Sequence, residues 1–353
     1  MNKPIRTLLV GLGNRGRKWA RILDEEPLAE TVGYVDIADA ALEEVQSTYK
    51  VQPKICYKDM ALAIKELEPD LVVLATPPDD RYREVLSIFE SGCHLLSEKP
   101  LGVDFDEGLA MVHAAEEAKL AFAVGLNFRF QHSVLKAREI LRSGEIGAAR
   151  YAGYNYWRNR DGYAPRLNRF PLTMHQPMIY DQAIHHLDEI RFVYDAEVER
   201  LTCLCSNPPW SMYRDDASVT AILEMTGGLK IHYFGTWSGQ TKYDQFMWRT
   251  DCDDGALFQY DLFSDLRIVR GKDSDKMEKI SLPHQENLVD DARIMTTELL
   301  TQLLEGELHP EPTAIDHLKT FAVAAACEES DTSKLPIELS DFYDRHNVPV
   351  AWR

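Results

Sequence analysis

A glycine-rich turn between a predicted strand and a predicted helix constrains the fold of this chain more than any other feature. The apolar run Leu8–Val10 leads directly into a G-x-G-x-x-G sequence that begins at Gly11 and ends at Gly16. Gly11 permits a tight turn, Gly13 lets the backbone approach a pyrophosphate, and Gly16 allows the helix to pack closely on the strand. Strand, turn and helix together therefore predict a dinucleotide site.

An acidic residue stands where such a site needs one. Asp36 ends a predicted strand twenty residues after Gly16, and its carboxylate would accept hydrogen bonds from a ribose diol. The pyrophosphate would lie at the N-terminus of the predicted helix 17–23, where N–H groups and the helix dipole favour anions. The predicted cofactor contacts in this region are Gly11, Gly13, Asn14, Arg15, Gly16 and Asp36.

Length and composition limit the class of protein. A chain of 353 residues predicts about two domains, and a hydrophobic fraction of 45% is ordinary for a globular protein. The net charge of −18 argues against nucleic acid or an anionic membrane as partner. No window has the ~18 consecutive apolar residues of a membrane span, and the first residues lack a signal-peptide pattern, so we expect a cytoplasmic protein. The six scattered cysteines are expected to be reduced thiols.

Strands and helices alternate in the first part of the chain. Predicted strands at 70–76, 94–97 and 121–125 alternate with predicted helices at 39–49, 81–91 and 105–119. This alternation predicts a doubly wound parallel sheet, and we assign residues 1–125 to a Rossmann domain. Ligands of such sheets bind beyond the carboxyl ends of the strands. That rule adds Thr76, Pro77, Glu98 and Lys99 to the predicted cofactor contacts.

From residue 126 to residue 353 the pattern changes to that of an α+β domain. Segments 150–157, 198–206, 217–225, 229–237 and 256–260 alternate apolar and polar residues, which predicts one large, mostly antiparallel sheet. Gly227-Gly228 predicts a hairpin turn between two of these strands. Predicted helices at 180–194, 287–304 and 313–329 complete the domain, and the last two could also pack against the first domain.

Lys99 is the first candidate for chemistry. It lies between Glu98 and Pro100 at the end of a predicted strand, and Pro100 biases it toward extended geometry facing the crevice. A lysine in a turn is ordinarily just exposed to solvent. The position of Lys99 at the carboxyl edge of a nucleotide-binding sheet favours a functional role instead.

The predicted helix 180–194 carries the second candidate group. In a regular α-helix Asp181, His185 and Asp188 share one face, while His186 points elsewhere. A carboxylate one turn from a histidine can orient the imidazole and tune it for acid–base work near neutral pH. The alternatives are a surface ion pair, or a metal site to which only His175 could add a further ligand nearby. We predict no metal, because no further ligand cluster is evident.

Aromatic and basic residues crowd the stretch 154–166 and recur further along the chain. They could frame a polar, stacking pocket of the kind that sugars favour. The alternative for each single residue is sheet packing or a solvated loop position. The cluster consists of Tyr156, Trp157, Arg158, Arg160, Tyr163 and Arg166, together with Trp237, Tyr243 and Trp248.

Taken in order, these motifs resemble the Gfo/Idh/MocA family of oxidoreductases, the relatives of glucose-fructose oxidoreductase and inositol 2-dehydrogenase. The resemblance covers nearly the whole chain. It rests on the glycine-rich turn, Asp36, T-P-P at 76–78, G-C-H-L-L-S-E-K-P at 92–100, N-F-R-F at 127–130 and D-x-x-x-H-x-x-D at 181–188. The chain departs from the family at Arg81, where many members carry His, and at Ala183, where Gly is frequent.

The resemblance implies hydride transfer between nicotinamide and a carbinol or carbonyl carbon of a sugar, inositol or related polyol. It assigns His185 as general base, Lys99 to position the substrate oxygen and stabilise its charge, and Asp181 to orient the histidine or a substrate hydroxyl. The predicted substrate contacts are Lys99, Arg129, Tyr156, Arg158, Asp181, His185 and Trp237. It also implies a homodimer or homotetramer formed through the C-terminal sheet.

The sequence leaves alternatives open for the identity of the cofactor and for the activity. Ile37 and Ala38 follow Asp36 and favour NAD, since a 2′-phosphate needs a basic or hydroxyl partner, but Arg15 leaves NADP open. A protein of this kind could also sense its cofactor without catalysis, which the complete set of catalytic residues argues against. A further alternative is a redox-neutral enzyme that oxidises a sugar transiently to cleave a glycosidic bond.

Overall fold

The computed structural model describes residues 3–165, 167, 169–272 and 274–353, and the chain divides into two compact units. Unit 1 consists of Met1–Asn127 and Leu288–Leu318, and unit 2 consists of Phe128–Asn287 and Lys319–Arg353. Each unit has its own sheet. None of the helices in these ranges is long and apolar enough to cross a membrane.

Unit 1 contains a six-stranded parallel sheet. Its strands are β1 (Ile5–Val10), β2 (Ala29–Val35), β3 (Cys56–Tyr57), β4 (Leu71–Leu74), β5 (His94–Ser97) and β6 (Phe122–Val124). They lie in the order β3-β2-β1-β4-β5-β6, with every neighbouring pair parallel. All four residues of β4 are buried, as expected for a continuous apolar run inside a parallel sheet. The strand order reverses at β1, and ligands bind at such a switch point, beyond the carboxyl ends of the strands. The predicted doubly wound fold is confirmed.

The second sheet belongs to unit 2 and has nine strands. They are β7 (Ala149–Trp157), β8 (Val198–Ser206), β9 (Ser218–Met225), β10 (Lys230–Thr236), β11 (Gln245–Cys252), β12 (Gly255–Asp261), β13 (Ser264–Arg270), β14 (Met277–Lys279) and β15 (Ile337–Glu338). Their order is β14-β13-β12-β11-β7-β10-β9-β8-β15. The prediction of a mostly antiparallel sheet is confirmed, but the central strands β7 and β10 are parallel.

Helices connect and cover these strands. They are α1 (Asn14–Glu25), α2 (Asp39–Tyr49), α3 (Met60–Leu67), α4 (Arg81–Glu90), α5 (Phe105–Ala118), α6 (His132–Ser143), α7 (Ile184–Tyr194), α8 (Asp290–Leu304), α9 (Ala314–Ser333) and α10 (Leu339–Arg345). Helix α8 belongs to unit 1, although it follows the strands of unit 2 along the chain. The predicted helix 39–49 coincides with α2, and the other predicted helices differ at their ends.

The predicted helix 180–194 is two different structures. Residues Met178–Ala183 form a π-helical segment, and α7 begins only at Ile184. Nine of the eleven residues of α7 are buried, including five polar or charged ones. Buried polar groups need hydrogen-bond partners, so α7 is held by specific contacts and not by an apolar stripe alone.

One of these buried polar residues is His186, which is fully inaccessible to solvent. Its Nε2 lies 2.9 Å from Nε2 of Gln182, and its Nδ1 lies 3.0 Å from the hydroxyl of Tyr233. The rings of Tyr154 and Tyr156 pack against the imidazole at centroid distances of 4.8 and 4.9 Å. Burial lowers the pKa of His186 to about 3, so the neutral imidazole is part of the core of unit 2.

We expect His186 to make the stability of unit 2 depend on pH. The unfolded chain takes up a proton near pH 6.5 and the folded chain only near pH 3, so protonation favours unfolding between these values. The contribution of His186 is complete above pH 6.5, falls by up to about 1.4 kcal/mol per pH unit below it, and levels off near pH 3. Urea denaturation of the wild type and of His186→Gln at several pH values measures this difference. If the free energies of unfolding of the two proteins differ by the same amount at every pH from 7 to 4, the expectation is contradicted.

Candidate active site

The glycine-rich turn has the geometry that a dinucleotide requires. Gly11 has a φ of +86°, and a Cβ on Gly16 would lie 1.8 Å from the carbonyl oxygen of Gly11. A Cβ on Gly13 would meet nothing within 4 Å, so the protein itself does not need glycine there for space. Helix α1 starts at Asn14, with no side-chain cap and no acidic residue in its first turn. Its first N–H groups therefore suit an external anion.

Asp36 is fixed against the same turn. One carboxylate oxygen accepts the N–H of Leu12 at 2.7 Å, and the other accepts the N–H of Ala38 at 2.8 Å. Each carboxylate oxygen keeps a further lone pair for a ligand hydroxyl. Ile37 follows with 87% of its surface exposed, so an apolar side chain borders the carboxylate.

A buried arginine joins the carboxyl ends of β4 and β5. The guanidinium of Arg81 donates to the carbonyl oxygens of Thr76 and Glu98, both at 2.6 Å, and to that of Pro100. Burial lowers the pKa of Arg81 to about 10, which leaves the guanidinium charged at neutral pH. Arg81 is one of the two positions at which the sequence departs from the pattern of the family that it resembles, and here it holds two turns predicted to contact the cofactor.

Glu98 connects the turn before Lys99 to the glycine-rich turn. Its Oε1 accepts hydrogen bonds from Nε of Arg15 at 2.5 Å and from Nε1 of Trp19 at 2.8 Å. Burial alone would raise the pKa of Glu98, but the charges of Arg15 and Lys99, together with the hydrogen bonds from Arg15 and Trp19, outweigh burial and lower it. The guanidinium of Arg15 also lies over the indole of Trp19 and donates to Oδ1 of Asn127 at 3.2 Å. The side chain of Arg15 thus makes all of these contacts with residues of unit 1.

The network continues from Asn127 into α8. Nδ2 of Asn127 donates to Oδ2 of Asp291 at 2.7 Å, and burial raises the pKa of that carboxyl. No local pattern in the sequence pairs residues so far apart, and the prediction missed this contact. Lys99 itself is half-buried, and its peptide bond to Pro100 is cis.

In unit 2, Asp181 and His185 lie on either side of the change from π-helix to α-helix. Asp181 is half-buried within the π-helical segment, so the α-helical spacing assumed for the pair does not apply to it. His185 is 7% exposed, in the first turn of α7, and stacks on Phe128 at a centroid distance of 4.1 Å and an angle of 14°. Among the residues described, no group of three or more His, Cys, Asp or Glu side chains is arranged to hold a metal ion.

Asp188 does not join this pair as a free carboxylate. It is 1% exposed and accepts two hydrogen bonds of 2.5 Å from Nε and Nη2 of Arg129. Arg129, which the sequence predicts as a substrate contact, is itself only 5% exposed. The structure therefore places Arg129 in a buried ion pair.

Part of the aromatic and basic cluster does come together in unit 2. Tyr156 and Trp237 are buried, and Nη1 of Arg158 lies 3.4 Å from the hydroxyl of Tyr156. Arg160 lies over the indole of Trp237 at 4.4 Å and donates to the hydroxyl of Tyr213 at 3.0 Å. Burial raises the pKa of Tyr213, although the hydrogen bond and the charge of Arg160 oppose this shift.

The remaining members of the predicted cluster that the structure describes do not share one environment. Trp248 packs in the core and donates to the hydroxyl of Tyr194 at 2.9 Å, while Tyr243 is 88% exposed. Tyr163 is exposed, and Arg166 lies outside the described residues. Tyr213 was missed, because a single tyrosine in an irregular segment gives no periodic signal.

Comparison with known proteins agrees with this fold. Residues 5–126 match the oxidoreductase family with an NAD-binding Rossmann fold, and residues 134–258 match the GFO/IDH/MocA C-terminal domain. An inositol 2-dehydrogenase from Rhodococcus erythropolis is 29% identical over 56% of this chain and 55% of its own length. A D-apiose dehydrogenase from Paraburkholderia graminis is 23% identical over 96% of this chain and 90% of its own.

A solved structure has the same fold. An oxidoreductase from Agrobacterium radiobacter, in complex with NAD+, L-tartaric acid and magnesium, superposes with a TM-score of 0.88 at 18% identity, covering 96% of this chain and 99% of that one. Fold and site thus define an NAD-binding oxidoreductase of the dehydrogenase class. The chain belongs to the Gfo/Idh/MocA family.

Substitutions of Gly16 and Gly13 are expected to affect stability and cofactor binding separately. Gly16→Ala places a Cβ against backbone, so we expect the free energy of unfolding to fall by about 1–3 kcal/mol or more. Gly13→Ala has space in the protein alone and is expected to keep its stability, while the apparent Kd for NAD rises about tenfold or more. Urea denaturation and NADH fluorescence titration measure the two effects. Unchanged NAD affinity in Gly13→Ala would contradict the assignment of this turn.

Proposed function

We propose that the protein is an NAD-dependent dehydrogenase or reductase acting on a sugar, an inositol or a related polyol. The observation that carries the proposal is the anchoring of the turn around Lys99. Arg81 holds this turn through backbone carbonyls, and Glu98 ties it to the glycine-rich turn through Arg15. Lys99 therefore has a fixed position at the carboxyl edge of the Rossmann sheet. A group that stabilises charge or assists proton transfer on a substrate needs such a position.

In our proposal Lys99, Asp181 and His185 act on one substrate. When bound, NAD supplies the acceptor for the hydride that leaves the carbinol carbon. His185 takes the hydroxyl proton as general base, while Lys99 donates to the substrate oxygen and stabilises the charge that develops on it. Asp181 orients the imidazole or a neighbouring substrate hydroxyl. The products are a carbonyl compound, a reduced cofactor and a proton on His185, and reduction runs through the same groups in reverse.

The proposal specifies NAD and not NADP. Asp36 offers carboxylate oxygens to a ribose diol, and its charge would repel a 2′-phosphate. Ile37 beside it supplies no positive charge. Arg15, the residue that could supply a positive charge instead, already donates a hydrogen bond to Glu98. These three observations support a diol-binding site.

The substrate class rests on the cluster of aromatic and basic side chains to which Tyr156, Arg158 and Trp237 belong. Planar aromatic surfaces beside hydroxyl and guanidinium donors suit a ligand with apolar ring faces and many hydroxyl groups. The similarity to an inositol dehydrogenase and an apiose dehydrogenase supports the same class. We also propose a cytoplasmic location, which the six free cysteines support.

An absorbance assay with NAD+ or NADP+ and a panel of inositols, aldoses and polyols tests the activity. We expect NADH to form with at least one compound, with kcat about 10²- to 10⁴-fold lower in Lys99→Ala and His185→Ala. Lys65→Ala, an exposed lysine, serves as the control and should match the wild type.

The other outcomes of this assay distinguish the alternatives. Tight cofactor binding without reduction by any compound would favour a cofactor sensor. Sugar release from glycosides without net NADH would favour a redox-neutral enzyme. A preference for NADP+ would contradict the assignment of Asp36 and Arg15.

We further propose that copies of the chain associate through the second sheet. Its face opposite α7 exposes Tyr151, Trp157, Leu204 and Ile222 by 45–55% each. The pairing register places these side chains on one face of neighbouring strands. Large apolar side chains exposed together on one sheet face are typical of an interface.

A charge in this face should prevent the association. We expect Ile222→Lys to reduce the mass in size-exclusion chromatography with light scattering from that of a dimer or tetramer to that of a monomer, without loss of melting temperature. Leu335→Lys changes an equally exposed leucine outside the strands and should leave the mass unchanged. A wild type that is monomeric would refute the proposal.

A further inference from the structure

Two neighbouring residues of one short turn contact two residues of α7 that are one helical turn apart. Phe128 stacks on His185, and Arg129 binds Asp188 through both of its carboxylate oxygens. All four side chains are buried, none more than 7% exposed. His185 and Asp188 lie on the same side of α7, since residues three apart in a helix are neighbours on its surface.

We infer that Phe128 and Arg129 are positioning residues that fix the imidazole of His185 for proton transfer. The inference rests on the proposed function, because it takes His185 as the general base. It assigns to Arg129 a structural partner, Asp188, in place of the substrate contact expected from the sequence. It also gives Phe128, for which no role was predicted, control over the plane of the imidazole ring.

The stack on Phe128 restricts the histidine without blocking it. The rings are nearly parallel, at an angle of 14° and a centroid distance of 4.1 Å, so rotation of the imidazole would break the contact. Both ring nitrogens lie in the plane of the imidazole and point away from a ring that covers its face. The π-face of Phe128 also attracts an imidazolium, the form that His185 takes after accepting a proton.

The ion pair fixes the helix that carries the histidine. Asp188 also accepts a hydrogen bond from the hydroxyl of Thr320 at 3.0 Å, and Thr320 accepts one from Nη1 of Arg191 at 2.7 Å. A planar guanidinium bound to both oxygens of a carboxylate allows little change of angle or distance. Because the pair is buried, either partner alone would be an uncompensated charge, which favours the paired arrangement strongly.

A fixed helix is needed at this point of the chain. The π-helical segment Met178–Ala183 ends directly before α7, and the backbone hydrogen-bond pattern changes there. His185 is in the first turn after this change. The Arg129–Asp188 pair therefore locates the helix, and the Phe128 stack orients the ring.

Variants of Phe128 test the inference with kinetics. Phe128→Leu keeps an apolar side chain but removes the ring face, and we expect kcat to fall about 10- to 100-fold with KM for NAD unchanged. Phe128→Tyr restores the ring face and should recover most of the loss. The control is Phe263→Leu, because Phe263 packs edge-on against Phe128 at 5.6 Å and its removal leaves the stack in place.

Histidine Cε1–Hε1 spectra provide a readout that does not need activity. A proton above an aromatic face resonates upfield, so the His185 signal, assigned by its loss in His185→Gln, should be shifted upfield in the wild type and in Phe128→Tyr. It should return toward the unperturbed position in Phe128→Leu. Arg129→Lys keeps the charge but cannot bind both oxygens, and should lower kcat and broaden the same signal.

The results distinguish a failure of the positioning role from a failure of the proposed function. Phe128→Leu with kcat within twofold of the wild type and an unchanged His185 signal would overturn the positioning role. A loss in Phe128→Tyr as large as that in Phe128→Leu would also overturn it, because the ring face would then not be the cause. If the wild type turns over no compound, the proposed function fails, and the His185 signal alone decides whether Phe128 fixes the ring.

Discussion

The first sheet depends on one buried cation for the arrangement of its carboxyl edge. Arg81 donates to the carbonyl oxygens of Thr76, Glu98 and Pro100, which lie just beyond β4 and β5. An unsatisfied buried carbonyl costs about 1–3 kcal/mol, and a planar guanidinium with five N–H groups can satisfy three of them at once. Because Lys99 lies between two of these acceptors in the chain, the place of that lysine follows from the hydrogen bonds of Arg81.

The second unit uses the same chemistry for a different purpose. Arg129 binds a carboxylate where Arg81 binds carbonyls, and its partner Asp188 is a member of the helix that carries His185. Each buried guanidinium would be unfavourable without its acceptors. That dependence makes each arrangement specific, since a small displacement of the helix or of the turn leaves a charge unsatisfied.

Elements that a local sequence pattern encodes could be predicted from the sequence. Contacts between residues far apart in the chain could not. The alternation of apolar runs with helices predicted the parallel sheet, and Gln245–Cys252 carries a period-two pattern, with Phe246, Trp248 and Thr250 buried, that could have identified β11. The π-helical segment leaves no comparable signal, because its hydrogen-bond pattern depends on packing. The Phe128–His185 stack joins residues 57 positions apart, and sequence spacing does not report such a distance.

The parallel pairing of β7 and β10 has a consequence beyond topology. Both strands end at the same edge, so Arg158 and Arg160 leave the sheet beside Trp237. Antiparallel neighbours would have sent these two segments to opposite edges. For protein engineering, the segments that follow β7 and β10 are therefore neighbours that would be redesigned as a pair.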